Sequence, residues 1–147
     1  SCKVIMEGLK DLGFVKGDPM EAVKAGAHAM FMPCGLGHMM GLDVHDMENL
    51  GEVYVGYDGQ PKSTEFGRKS LRLGRKLEPG FVYFIPELMD LWRSQNKFTE
   101  FINYEKLVTY KDFSGIRNEE DYLITEDGAR LLGKKIPLHT EEVEALR

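Results

Sequence analysis

The sequence predicts an α+β chain, and three observations carry that prediction. Two amphipathic helical stretches open it, strand-like runs follow a glycine-rich middle, and a charged hairpin pattern precedes a last capped helix. Apolar residues at positions 4, 5, 9 and 12 fall at helical spacing and Gly13 ends them, which predicts a helix over Val4–Leu12. Asp18-Pro19 is an N-cap followed by proline at the first helical position, opening a second helix that runs to about His28. Asn49–Thr64 reads as loop or short hairpin, with Asp58-Gly59 as its turn. Strands are expected near Ser70–Leu73 and Phe81–Ile85.

Glu87–Gln95 is expected to be a short helix, because Leu88, Leu91 and Trp92 sit at the three- and four-residue spacing of a buried face, with Met89 beside them. Phe98, Phe101, Tyr104, Tyr110 and Phe113 form an aromatic connector. We read it as packing, since aromatic rings bury large areas anywhere in a fold. A closing hairpin around residues 116–128 turns at Glu126-Asp127-Gly128, and a terminal helix starts at Thr140 as a cap before Glu141 and Glu142.

Composition bounds the function. The 147 residues make one domain or part of one, and 42% hydrophobic with 29% charged residues is the balance of an ordinary globular chain. No apolar run is long enough to cross a bilayer and no signal peptide opens the sequence, so no membrane partner is expected. Cys2 and Cys34 lack the spacing of a metal ribbon or redox pair, which predicts reduced, buried thiols and a cytoplasmic location. A net charge of -5 argues against nucleic acid, whose phosphates demand concentrated positive charge. The one basic cluster, Arg68, Lys69, Arg72, Arg75 and Lys76, is interleaved with Leu71, Leu73 and Leu77 and reads as the solvated side of a strand.

The chemistry concentrates in Gly35-Leu36-Gly37-His38-Met39-Met40-Gly41-Leu42-Asp43-Val44-His45-Asp46, which places two of the four histidines among glycines and carboxylates. Imidazole nitrogens bind divalent metals or move protons near neutral pH. Seven residues apart, His38 and His45 would face opposite ways on a regular strand. Three glycines make a helix costly, at about 1 kcal/mol each. The segment is therefore expected to be extended, with a bulge or bend near Gly41 that lets both rings face one cavity. His28, inside an apolar run, and His139 are read as ordinary structural histidines.

This motif resembles the histidine motif of the pita-bread metallopeptidases, in particular aminopeptidase P and prolidase. Leu77-Glu78-Pro79-Gly80-Phe81-Val82 resembles the strand entry that precedes the family's first glutamate ligand. Gly115 to Gly128, with Ile116-Arg117-Asn118-Glu119-Glu120-Asp121 inside it, resembles the closing hairpin that carries the second. The resemblance implies the C-terminal half of a pita-bread fold over residues 1–147, a curved, mostly antiparallel sheet with helices on its outer face. It implies that His38 and Glu119 are metal ligands, that His45 is a substrate-contacting, proton-handling residue, and that Arg117 supports the site. Period-two alternation agrees in putting Arg117, Glu119 and Asp121 on one strand face.

The implied activity is release of the N-terminal residue from peptides with proline in second position. Two divalent ions, most often manganese in this family and with cobalt or zinc also suited to such oxygen-rich ligands, would activate a water and polarise the scissile carbonyl. A homo-oligomer is compatible with the resemblance. Two departures qualify it. The family's upstream pair of aspartate ligands has no counterpart, Asp11 and Asp18 lying in helix and cap contexts, and Ser1 suggests a chain that starts partway through a longer protein. The second Glu-Pro-Gly, which the family carries shortly after the Pro79-Gly80-Phe81-Val82 entry, is also absent, because Phe81-Val82 runs directly into Tyr83-Phe84-Ile85-Pro86-Glu87. Either a short segment has been lost there, or residues are missing from the sequence at that junction. The expectation is that this chain alone is inactive and binds metal weakly or not at all. The competing expectation is a pita-bread module that binds peptides without catalysis.

Overall fold

A computed structural model describes the chain except for Cys34, Phe66, Gly67, residues 89–96, Ser114 and Ile116, and gives the backbone alone for residues 83–88, Arg117 and Asn118. Five helices, α1 (Cys2–Asp11), α2 (Pro19–Ala25), α3 (Glu52–Tyr57), α4 (Tyr104–Val108) and α5 (Thr140–Glu144), accompany four strands among the described residues. The strands are β1 (His38–Met39), β2 (Val82–Leu88), β3 (Arg117–Ile124) and β4 (Ala129–Leu131). No helix among these residues is long and apolar enough to cross a membrane.

The helical core follows from the apolar spacing near the N-terminus. Met6 and Leu9 of α1 are three residues apart and point one way, into a cluster with Ala22 of α2, Ala27, Met30, Phe31, Ile102 and Leu107 of α4. Asp18 caps α2 by accepting a hydrogen bond from the Glu21 amide at 2.9 Å, with Pro19 at the first helical position, as the sequence predicts. The helix stops earlier than expected. Gly26 adopts φ of 88°, a left-handed conformation open to glycine, and turns the chain into a short 3-10 segment, Ala27–Met30.

Distant segments close this core. Val15 bridges Ile102, the Lys16 amide donates to the Phe101 carbonyl and the Asn103 amide donates to the Phe14 carbonyl at 2.9 Å. Asn103 also caps α4, accepting from the Lys106 amide, while its side-chain amide donates to the Gly13 carbonyl at 3.0 Å. The aromatic connector does pack here: Phe98, Phe101, Tyr104 and Phe113 lie against the core and Tyr110 meets Phe14 edge to face at 5.0 Å.

The sheet has the order β1-β2-β3-β4 and every pairing is antiparallel. Its register puts His38 opposite Phe84, Phe84 opposite Asp121, and Pro86 opposite Glu119. The closing hairpin forms as β3 and β4. Four local expectations are corrected. Residues 52–57, expected as loop or hairpin, form α3, with Asp58 in the left-handed conformation as its cap and Gly59 beyond it. Ser70–Leu73 is not a strand: the Leu71 amide donates back to the Arg68 carbonyl in a turn, and the residues that follow, Gly74 and Arg75, donate to the Gly56 carbonyl. Glu87 and Leu88 belong to β2 and not to a helix, held by pairing with Asn118 and Arg117; the rest of that expected helix lies outside the described residues. Thr140 is the first helical residue of α5 and not its cap: His139 occupies the cap, and the Glu142 carboxylate accepts from the Leu138 and His139 amides.

Candidate active site

His38 enters the sheet as the first residue of β1 and is 4% exposed. Its Nδ1 lies 3.0 Å from the Met39 carbonyl, an acceptor only, so the ring carries its proton on Nδ1 and its lone pair on Nε2. Burial, the largest influence, pulls its pKa below the ordinary imidazole value, and the charges of His45 and Arg72 add to that, against the Met39 hydrogen bond and Glu48. A buried neutral imidazole held by a carbonyl is the form in which histidine ligates a metal.

After Met40, whose amide still donates to Val82 of β2, the chain leaves the sheet. It turns through residues 41–45 and returns with the Asp46 amide donating to the Met39 carbonyl at 3.2 Å. The bend near Gly41 is therefore a closed loop and not a bulge within a longer strand. It brings His45 against His38, ring centroids 4.3 Å apart and planes at 89°. His45 itself is exposed, so the two imidazoles share a boundary between interior and solvent.

Two charged residues flank this pair that the sequence reading passed over. Arg72, read there as part of a solvated face, donates to Glu48 at 2.6 Å in a partly buried pair, and both charges reach His38. Arg72 is brought in because its backbone lies on Gly35, where a Cβ would stand only 3.3 Å from the Arg72 amide. A basic residue after a leucine gives no signal of this on its own; the glycine it lies against is distant in sequence.

Glu119 sits on the same sheet face as His38, by register, but on the far side of β2 and two residues along β3 from the position level with His38. Two strand spacings amount to about 10 Å between backbones. Asp121 occupies the level position, and its Oδ1 is buried with no hydrogen-bond partner among the described residues. The Glu119 side chain is exposed, and the Arg117 side chain lies outside the described residues. Of the four residues singled out by the sequence, His38 and His45 are in contact, and Glu119 and Arg117 share a strand whose face includes His38. Among the described residues no three histidine, cysteine or carboxylate side chains are grouped to hold a metal ion. The donor types suit a divalent ion, but they do not make a complete cage here.

The profile of metallopeptidase family M24 matches residues 2–126. The chain belongs to this family. It is of the prolidase and aminopeptidase P type, and its mixed helix and strand architecture with a small antiparallel sheet matches the pita-bread structures of that type. It is similar to the human Xaa-Pro dipeptidase, with 37% identity over 97% of this chain and 29% of that protein. A probable Xaa-Pro aminopeptidase of Metarhizium robertsii shares 31% identity over 87% of this chain and 31% of its own length. Zinc-substituted aminopeptidase P from Escherichia coli, solved in complex with product, superimposes with a TM-score of 0.64 at 33% identity, covering 99% of this chain and 26% of that one. The chain thus spans about three tenths of the length of the curated relatives it matches.

Proposed function

We propose that this chain is the C-terminal portion of a pita-bread catalytic domain, and that the whole protein is a metal-dependent peptidase acting at Xaa-Pro bonds, releasing the N-terminal residue. The observation that carries this is the buried, tautomerically fixed His38 with His45 laid against it, in a chain whose matched relatives are named for Xaa-Pro cleavage. The whole protein is assigned two divalent ions, manganese before cobalt or zinc, and residues outside this chain complete their ligand set.

In this reading His38 offers Nε2 as a ligand and Glu119 offers a carboxylate from the same sheet face. Bound divalent ions would supply Lewis acidity to the scissile carbonyl and acidity to a water. His45, exposed beside His38, reaches the substrate side and stabilises or protonates the developing tetrahedral oxygen. Arg117, two residues from Glu119 along the same strand, is assigned a supporting role in the site. The partner is a peptide with proline in second position. The lack of a Glu-Pro-Gly after Val82 favours a second reading, a domain that binds such peptides without cleaving them. Assay of the full-length protein on Xaa-Pro peptides with added manganese separates the two: turnover supports the peptidase, and binding without turnover supports the module.

A further inference from the structure

We propose that Asp46 is the positioning residue of the histidine pair, locking the loop of residues 40–46 so that His45 is held on His38. Three observations converge on it. The Met39 carbonyl accepts twice, from His38 Nδ1 at 3.0 Å and from the Asp46 amide at 3.2 Å, so one oxygen ties the buried ring to the returning end of the loop. The Asp46 side chain then folds over Gly41. A Cβ at position 41 would stand 2.5 Å from its Cγ and Oδ2 and 2.8 Å from Oδ1, so the carboxylate occupies the space that only glycine leaves. Inside the loop the Gly41 amide donates to the Asp43 carbonyl at 3.2 Å, setting the turn that brings both ends together.

The loop needs such a lock because burial does not supply one. Residues 41–45 are exposed, and Leu42 is fully so. Ordering backbone costs about 1–2 kcal/mol per residue. With little apolar burial to offset that cost, the amide bond to Met39 and the fit of the Asp46 carboxylate on Gly41 are what select one conformation. Asp46 acts through His45, by placing it. The structural part of the proposal stands by itself, and only its catalytic consequence rests on the peptidase reading.

The test is NMR on the metal-free, full-length protein with isotope-labelled histidine, reading the cross-ring NOE between His38 and His45 and the ring-current shift of an edge-to-face pair. Asp46→Ala and Gly41→Ala should each abolish both signals while the methyl resonances of Met6 and Met30 in the core stay in place. Asp46→Asn, of the same shape, should retain them. The double variant Gly41→Ala/Asp46→Ala should be no worse than Asp46→Ala, since the group that a methyl at position 41 would strike is gone. Wild-type NOE intensity in Asp46→Ala, or its loss in Asp46→Asn, overturns the proposal; should Asp46→Ala fail to fold, the Asn variant decides alone. In a protein that cleaves Xaa-Pro peptides, Asp46→Ala should lower kcat by about 10²-fold with KM little changed, as for a misplaced catalytic group. A change confined to KM contradicts the positioning role. Wild-type protein without turnover refutes the peptidase reading and leaves the NMR result standing.

Discussion

His38 and His28 are both buried imidazoles, and the structure treats them differently. His38 has the Met39 carbonyl on Nδ1 and a charged pair, Arg72 and Glu48, within electrostatic reach. His28, 5% exposed within the 3-10 segment that follows α2, has an Nδ1 with no partner among the described residues. Replacing His38 by alanine in the full-length protein is expected to lower Xaa-Pro cleavage by about 10³-fold or more, as loss of a directly acting group does, while circular dichroism and thermal unfolding stay close to wild type. Activity within a few-fold contradicts the ligand assignment. For His28 the expected effect is on stability. Burial foremost, and then the Arg68 charge, depress its pKa in the fold, whereas in the unfolded chain it titrates near its ordinary 6.5. Above that value both states are neutral and nothing is lost. Below it the unfolded chain takes up the proton first, so stability falls with pH until the lower folded pKa is passed. The urea midpoint should therefore drop more between about pH 7.5 and 5.5 in wild type than in His28→Phe; equal drops contradict this.

At the scale of elements, α1, α2 and α5 were legible from apolar spacing or end signals, whereas α4, despite its Asn103 cap, and α3 were not. Asp18-Pro19 announces α2, and Asp18→Ala is expected to cost about 1 kcal/mol in urea unfolding, with no change marking the cap as idle. Asn103→Ala removes both the α4 cap and the bond to the Gly13 carbonyl, and should cost about 2 kcal/mol. By contrast α3 has only Gly51 in its N-cap position, after a 3-10 turn, and no side-chain cap, so nothing in its letters distinguished it from a loop. Leu71 and Leu73 mimicked strand alternation, but the chain turns at Leu71 and the next residues, Gly74 and Arg75, bond to a glycine carbonyl of α3, a tertiary choice invisible to local pattern. Glu87 was read as a helix start because Leu88, Leu91 and Trp92 after it stand at helical spacing. The sheet register claims it instead, since β2 must run far enough to pair with Arg117.

For the whole molecule, the order of the three motifs made the family legible before any coordinates, because each is a short run whose backbone role constrains its letters. The spatial relation of His38 to Glu119 was not, since it depends on how many strands lie between them and in what register. One strand, β2, intervenes, and the position level with His38 belongs to Asp121. The helical core, centred on Phe31, Met30, Met6, Ile102 and Leu107, holds the N-terminal helices together with residues 98–113. Ile102→Ala should lower stability by about 2–5 kcal/mol, and a cost under about 1 kcal/mol would show that this bridge between residues 15 and 102 is dispensable. The central claim, that His38 and Glu119 grip a common divalent ion in the whole protein, is tested most directly by metal content. Full-length wild type, His38→Ala and Glu119→Gln, each loaded with manganese and dialysed, should show bound metal in the wild type and a matching loss in both variants. Retention of the wild-type metal content by either variant would contradict the claim.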